Sequence, residues 1–199
     1  MNLKQIKQHI TISDGNRKVG SVPSIGLPPV ITCNPKAKCF KDCYVLKSYR
    51  IYPSVRQAYQ KNLNTFNSNP DLYFESISEF IRIRKPTLFR FHVSGDIPNR
   101  RYLAGMIKLA VNNPDTKFLA FTKRYSLNKL FKNVPDNLSI VISAWPGMRL
   151  PATNLPIAFM DDGKESRINN ALPCFGNCET CGMCWNLKTI GKNIVFKKH

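Results

Sequence analysis

The sequence predicts an α/β fold, a partial or incomplete (β/α) barrel-like parallel sheet with Cys-rich loops at its N- and C-terminal ends. One observation predicts the sheet and another predicts the loops. Short runs of β-branched and aromatic residues alternate with stretches of helical periodicity over residues 54–162, which is typical of βα units. Cysteines cluster on either side of this region, at residues 33–44 and 174–185. No linker or repeat divides the 199 residues, so we predict a single domain, 1–199.

The elements follow one another with clear helical or strand patterns. Apolar residues recur on one helical face over 54–66, where Ser54 is the predicted N-cap, and again over 71–84, before Pro86 stops the helix. Residues 87–94 are β-branched and aromatic, which indicates a strand. The remaining predicted elements are a helix over 99–113, a strand over 117–123, a short helix over 125–134, and strands over 138–145 and 156–162.

Ligands of open parallel sheets bind where the carboxyl ends of the strands gather. Three predicted strands end in SGDIPN (94–99), TKRYS (122–126) and SAWPG (143–147), which suit either a site rim or plain turns. Asp161 and Asp162 end another strand, where they could bind magnesium but more often cap a turn. We therefore expect one site at this edge, next to the cysteine loops.

The C-terminal cysteine group comprises Cys174, Cys178, Cys181 and Cys184, within CFGNCETCGMCWN. Its overlapping CxxCxxC spacing favours a 4Fe-4S cluster over zinc, because structural zinc sites usually use two separated CxxC turns. Zinc stays an alternative, as do redox-active or free thiols. Trp185 is expected to shield the group from solvent.

The N-terminal cysteine group comprises Cys33, Cys39 and Cys43, within CNPKAKCFKDCY. Three thiolates can hold a 4Fe-4S cluster with one iron open, or they can join a distant cysteine in a single site. The sequence therefore allows one cluster or two, and Cys33 is the first candidate to be left over in a single site. Lys123 and Arg124, at a strand end, are the candidates for gripping an anion near the cluster.

Charge points to a second property of the chain. A net charge of +18 and a pI near 9.9 exceed what solubility requires, and residues 36–61 hold seven basic residues against Asp42. Tyrosines among these cations could stack on unpaired bases, or they could belong to the core beside a solvated lysine face. The candidate nucleic-acid-binding residues are Lys47, Arg50, Arg56, Tyr49 and Tyr52.

Several classes of protein are not indicated. The sequence has no apolar run long enough to span a bilayer and no signal-peptide core, so we expect no membrane partner and a cytoplasmic location. It contains no GxSxG, HExxH or Walker motif. His92 lies in a predicted strand and is expected to be a satisfied core or rim residue rather than a catalytic one.

The order of these motifs resembles that of radical S-adenosylmethionine (SAM) enzymes, in which a three-cysteine loop ending in Cys-Tyr precedes a strand with a Gly-Gly-Glu-Pro-like turn. The resemblance rests on CNPKAKCFKDCY, FRFHVSGDIPN, KFLAFTKR and LSIVISAW. Together with CETCGMCW and IVFKKH, the chain is identified as a member of the phage gene product 88 family. The resemblance implies that the N-terminal cysteine group holds the cluster beside Tyr44. It also implies that the turn of Ser94, Gly95, Asp96, Ile97 and Pro98 meets SAM, and that the C-terminal cysteine group resembles an auxiliary cluster site.

Three functional hypotheses follow. The first is a phage or mobile-element iron-sulfur protein, in the host cytoplasm, that binds or acts on nucleic acid. The second is a radical-SAM-like or other cluster-dependent enzyme acting on a small molecule. The cysteine spacing, C-x5-C-x3-C, is longer than the C-x3-C-x2-C of radical SAM loops, which favours kinship in fold over SAM chemistry. The third is a zinc-binding structural protein.

Overall fold

The computed structural model describes residues 1–161 and 169–197, which form seven α-helices and eight strands. None of the helices in these ranges is long and apolar enough to cross a membrane. The helices are α1 (Leu3–His9), α2 (Tyr44–Ile51), α3 (Pro53–Ser68), α4 (Pro70–Arg84), α5 (Arg100–Asn112), α6 (Cys178–Cys181) and α7 (Leu187–Ile190). The strands are β1 (Ile12–Ser13), β2 (Ser24–Ile25), β3 (Leu88–Phe91), β4 (Lys117–Thr122), β5 (Leu138–Ala144), β6 (Ile157–Asp161), β7 (Ala171–Pro173) and β8 (Asn193–Lys197).

All eight strands join one sheet in the order β1-β2-β3-β4-β5-β6-β8-β7. Strand β1 pairs with β2 in the antiparallel sense, and every other pair is parallel. Strands β1 and β7 are the two edges, and no pairing among the described residues closes the sheet into a barrel. The prediction of an α/β parallel sheet is therefore confirmed, whereas its barrel character is not shown.

Most predicted elements are present, with differences at their ends. Helix α3 begins with Pro53 at its first turn after the cap residue Tyr52, so the prediction of Ser54 as N-cap was wrong. Strand β3 ends at Phe91 because His92 has a φ of 58°, which no strand accommodates. Residues 125–134 form a 3-10 helix, Tyr125–Asn133, rather than an α-helix. The last predicted strand ends at Asp161, and Asp162 lies outside the described residues.

The two faces of the sheet have different covers. On one face, Phe118 and Ala120 of β4 pack with residues of α1, α3, α4 and α5 in the larger core. Alternation turns Leu119 to the opposite face, where it packs with Trp185 and Leu187. The segment that carries the C-terminal cysteine group therefore lies on the sheet face opposite helices α1, α3, α4 and α5.

Candidate cysteine-lined cavity

A cavity of about 240 Å³ lies at the carboxyl ends of the central parallel strands. Its walls come from the loop after β2, from the ends of β3, β4, β5 and β6, and from the C-terminal segment. Six thiol-bearing residues line this cysteine cavity: Cys33, Cys39, Cys43, Cys174, Cys178 and Cys184. The seventh, Cys181, is exposed. The structure thus brings to one cavity two cysteine groups that lie more than 130 residues apart in the sequence.

Hydrogen bonds tie the loop of the N-terminal cysteine group to the sheet. The Thr32 hydroxyl donates to the Pro28 carbonyl over 2.7 Å, and the Cys33 amide donates to the Val30 carbonyl over 3.2 Å. The Asn34 side-chain amide donates to the Lys123 carbonyl over 2.7 Å, directly after β4. The first cysteine of the group is therefore held at the carboxyl edge of the sheet.

The thiols of the N-terminal group lie close enough to affect one another. The pKa of Cys33 is raised to about 11, mainly by burial and to a smaller extent by the charges of Asp96, Cys39 and Cys43, while a backbone hydrogen bond from Val30 acts in the opposite direction. Burial also raises the pKa of Cys39, while the Lys123 ammonium opposes this shift. Lys123 is consequently the cation that would stabilise the thiolate form of this group.

The C-terminal cysteine group is anchored at several points. The Cys174 amide donates to the Val195 carbonyl of β8 over 2.9 Å, and the Cys178 amide donates to the Lys18 carbonyl over 3.1 Å. The Ser139 hydroxyl donates to the Cys184 carbonyl over 3.0 Å. These contacts fasten the group to both ends of the chain and to β5.

Trp185 follows the last of these cysteines and is 5% exposed. Its indole Nε1 donates to the Phe89 carbonyl over 3.2 Å, and it packs in the same cluster as Cys184. Trp185 therefore packs with Cys184 of the group, while Cys181 stays exposed.

Arg90 provides the cation beside the C-terminal cysteine group. The pKa of Cys184 is raised to about 12, mainly by burial and also by the charges of neighbouring thiols, while Arg90 acts in the opposite direction. Arg90 also lowers the pKa of Cys178 against the larger effect of burial. Its guanidinium carbon lies 5.2 Å from the centroid of the Phe121 ring, and its Nε is buried with no hydrogen-bond partner in the described parts of the chain.

Sequence reasoning missed Arg90 as a site residue. It stands in an otherwise apolar strand, LFRF, at the register that faces away from the helices. A single arginine within a strand of apolar residues is the sequence signal that could have identified Arg90 as a site residue.

Tyr44 lies between the two cysteine groups. Burial of its hydroxyl raises its pKa, Arg90 lowers it, and the charges of Cys43 and Cys178 both raise it. The hydroxyl donates to the Val93 carbonyl over 3.2 Å. The residue as a whole is 58% exposed, so part of its side chain faces solvent.

The turn after β3 is fixed by Asp96, which is 5% exposed. One carboxylate oxygen accepts the Ile97 amide at 2.7 Å and the Thr122 hydroxyl at 2.6 Å, and the other accepts the Lys123 amide at 2.8 Å. Burial raises the pKa of Asp96, and these hydrogen bonds act in the opposite direction. Asp96 therefore joins the turn after β3 to the end of β4.

The neighbours of Asp96 fit tightly into the same corner. Gly95 has a φ of 80°, and a Cβ there would lie 2.5 Å from the Thr32 hydroxyl oxygen, so only glycine suits the position. The Ser94 hydroxyl is buried with no partner within residues 1–161 and 169–197. Both residues line the cysteine cavity.

Lys123 and Arg124, predicted together as anion-binding residues, point to different places. The Lys123 ammonium lines the cysteine cavity and donates to the Ser143 hydroxyl over 2.9 Å. The Arg124 guanidinium donates to the Thr32 carbonyl over 2.9 Å and supports the loop of the N-terminal cysteine group. Within this pair, Lys123 is the better candidate for contact with a bound anion.

His92 is buried and lies at the cavity wall. Its ring centroid lies 5.7 Å from that of Phe91 and 5.3 Å from that of Tyr102. Burial lowers its pKa to about 3, and the Arg90 charge adds to the effect. Neither ring nitrogen has a partner in the described structure, so the expectation of a satisfied histidine was wrong.

The five candidate nucleic-acid-binding residues divide into two kinds. Lys47, Arg50 and Tyr52 are exposed. Tyr49 is half-buried and stacks on Tyr59, with ring centroids 6.2 Å apart. The Arg56 guanidinium donates to the Tyr49 and Arg50 carbonyls over 3.1 Å and 2.6 Å and so closes the end of α2. Lys47, Arg50 and Tyr52 are therefore the members of the set with the surface to meet a partner.

The residues around the cysteine cavity are of the chemical types that bind iron-sulfur clusters. Thiolates are the soft ligands that such clusters use, and a cation beside each cysteine group offsets their negative charge. Within residues 1–161 and 169–197, no group of three or more histidine, cysteine, aspartate or glutamate side chains is arranged to hold a metal ion directly. A bound metal is accordingly a proposal.

The fold and site define an α/β protein whose open, mostly parallel sheet carries a thiol-lined cavity at the carboxyl ends of its strands. The family model for Gene product 88 matches residues 1–167, and the chain belongs to this family of phage proteins. It is similar to the Gene 88 protein of Mycobacterium phage L5, with 28% identity over 94% of this chain and 91% of the phage protein. The Gene 88 protein of Mycobacterium phage D29 is 27% identical over the same shares. No solved structure matches the chain.

These comparisons support the family part of the resemblance and give no support to the radical SAM part. The family match includes the N-terminal cysteine group and ends before the C-terminal one.

Proposed function

We propose that this chain is an iron-sulfur protein that carries 4Fe-4S clusters on its two cysteine groups and acts on nucleic acid in the host cytoplasm. The observation that carries the proposal is the meeting of both groups at one cavity, at the strand ends where parallel sheets bind their ligands. A 4Fe-4S cluster would supply one-electron chemistry there.

The two cysteine groups have separate cations, which is the basis for proposing two cluster sites rather than one shared site. Lys123 lowers the pKa of Cys39 in the N-terminal group, and Arg90 lowers the pKa of Cys178 and Cys184 in the C-terminal group, in each case against the larger effect of burial. Tyr44 lies near a thiol of each group, Cys43 and Cys178. We therefore assign the N-terminal cysteine group, with Lys123, to one cluster and the C-terminal cysteine group, with Arg90, to the other.

The nucleic-acid part of the proposal depends on charge. The chain carries +18, and Lys47 and Arg50 are exposed on α2, whose first residue, Tyr44, lines the cysteine cavity. Phosphate backbones are attracted to such a surface, and the attraction weakens as salt rises. A salt-dependent affinity for DNA or RNA is the expected behaviour.

A second candidate function, a radical-SAM-like enzyme within a partial barrel, is favoured by one observation. The cysteine loop precedes strand β3 and the turn 94–98, which is the order on which the resemblance to radical SAM enzymes rests. The N-terminal group has three cysteines, which leaves one iron of a cubane without a thiolate from this group. Asp96 already accepts three hydrogen bonds, so in this function it would shape the turn rather than bind the SAM amino group through a free carboxylate.

The test is the iron, sulfide and zinc content of anaerobically purified protein, with an optical spectrum before and after dithionite. About eight irons with matching sulfide and a bleachable band supports two clusters, and about four supports one. Zinc without sulfide overturns the iron-sulfur proposal in favour of a zinc-binding structural protein. A spectral change of the reduced clusters on adding SAM would favour the second candidate function.

Removing the cation beside one cluster should change that cluster's reduction potential. Arg90→Met removes a positive charge that stabilises the more negative, reduced state, so the potential of the C-terminal cluster is expected to fall, by an amount on the order of tens of millivolts. Lys123→Met should have the same effect on the N-terminal cluster. Redox titration followed by electron paramagnetic resonance measures both. Lys108→Met, an exposed lysine on α5, is the control, and equal shifts of both clusters in one variant would contradict the assignment.

A further inference from the structure

We infer that the cysteine cavity takes its substrate as a nucleotide within single-stranded nucleic acid, whose bases stack on an apolar rim at the cavity mouth. The inference rests on the proposed function and names the substrate class of the same site. The cavity rim consists of Val30, Ile31, Tyr44 and Phe175.

The cavity rim exposes large apolar side chains beside cavity-lining residues. Ile31 is 69% exposed, Phe175 is 76% exposed, and Val30 is 47% exposed. Val30 follows the lining residue Pro29, and Phe175 follows the lining residue Cys174. Both cysteine segments thus present apolar surface to solvent next to the cavity, as binding sites do.

The backbone holds part of the rim in an unfavourable conformation. Val30 has a φ of 69°, a region that β-branched residues rarely adopt because of steric clashes. The Ile31 amide donates to the Pro29 carbonyl over 2.8 Å within this turn, and the Thr32 hydroxyl fixes the next step. Strain of this kind persists where the surroundings enforce it and is concentrated at ligand-binding sites.

Cations flank the rim in the sequence that follows it. Between residues 36 and 50 the exposed basic residues outnumber the single acidic residue, Asp42. They are Lys36, Lys38, Lys41, Lys47 and Arg50. Apolar side chains with cations beside them can hold bases and phosphates at the same time.

The apolar character of the rim distinguishes a single strand from a duplex. Bases in a duplex stack on one another, so a duplex would meet the cations but not the faces of Tyr44 and Phe175. Unpaired bases can stack on these rings, and each such contact contributes about 1–3 kcal/mol. An acidic protein would also be attracted to the cations, and it is an alternative that the experiment separates.

The experiment measures binding of fluorescent 20-residue single strands and their duplexes, as DNA and as RNA, to the iron-loaded chain. Wild type should prefer the single strand. Ile31→Ser with Phe175→Ala should weaken single-strand binding by about tenfold or more, with little change for the duplex. Val111→Ser, which changes a 60% exposed valine on α5, is the control for loss of an exposed apolar residue.

Iron content separates the two levels of proposal. If the wild type contains no iron, the proposal of iron-sulfur clusters is wrong. If iron content is normal and the rim variant binds single strands as well as wild type does, the inference about the single strand is wrong. Equal weakening for single strand and duplex also overturns it, as does competition by polyglutamate as effective as competition by unlabelled oligonucleotide. If Phe175→Ala alone lowers iron content, Ile31→Ser alone carries the test, with about a threefold or greater loss expected.

Discussion

Replacing Cys178 and Cys184 together with alanine is expected to lower the iron content from about eight to about four atoms per chain, because one of two 4Fe-4S sites loses half its thiolates. The N-terminal cysteine group should keep its cluster, since its thiols and Lys123 are untouched. Replacing Cys39 and Cys43 should give the reciprocal loss. Iron and sulfide assays on anaerobic protein, with spectra of the reduced state, measure both variants.

Thr180→Ala is the matched control for this prediction, because Thr180 is exposed and lies between two cysteines of the same group. It should leave iron content unchanged. If either double variant lost all its iron while remaining folded by circular dichroism, the two cysteine groups would share one site. The division of ligands by electrostatic neighbourhood would then be wrong.

Asp96→Ala is expected to lower the free energy of unfolding by about 3 kcal/mol at neutral pH, because it leaves three buried or half-buried donors without their acceptor. The change also detaches the turn after β3 from the end of β4. Lys123 follows β4 and supports the cysteine loop through its carbonyl, so the variant should retain less iron at the N-terminal group. Urea unfolding and iron content measure the two effects.

The pH dependence of the Asp96 effect has a definite sign. Its pKa is raised from 3.8 by burial, so the protonated form is favoured in the folded state. This contribution to stability is fully present below the unfolded pKa and is lost as pH rises through the folded pKa. The difference in the free energy of unfolding between wild type and Asp96→Ala should therefore decrease as the pH rises from below the unfolded pKa to above the folded pKa.

Asp136→Ala provides the comparison for a surface carboxylate. Its side chain is fully exposed and lies 3.3 Å from the Lys188 ammonium, so the free energy of unfolding should stay close to that of wild type. A loss in Asp96→Ala no larger than this would show that the three hydrogen bonds do not hold the turn.

Local patterns in the sequence were sufficient for many elements of the fold. The apolar periodicity over 71–84 predicted α4, and the β-branched run over 138–145 predicted β5, because both patterns reflect interactions between near neighbours. Strand β2 has two residues, too few to show a pattern, and it forms through pairing with β1 and β3. Strand β8 likewise forms through parallel pairing with β6, which is distant in sequence, and with β7, from which the cysteine segment separates it.

The candidate site shows the same division. The spacing of the cysteines and the polar strand ends by themselves determined which thiols and which turn to consider. The hydrogen bonds of each cation in the folded chain decided whether its side chain is available to bind a partner. Arg56 bonds to the end of α2 and Arg124 bonds to a loop, whereas the sequence alone did not distinguish them from Lys47 and Lys123.

Periodicity, composition and cysteine spacing indicated the α/β class, the basic charge and the two groups of thiols, whereas the family was inferred from resemblance to known motifs. The tertiary structure brings both groups to one cavity, with Lys123 near the N-terminal group and Arg90 near the C-terminal group, and it leaves Val30 and Phe175 exposed to solvent. The physical reason is that strand register and packing across the sheet bring distant residues together. Periodicity along the chain contains no information about which distant residue will lie opposite.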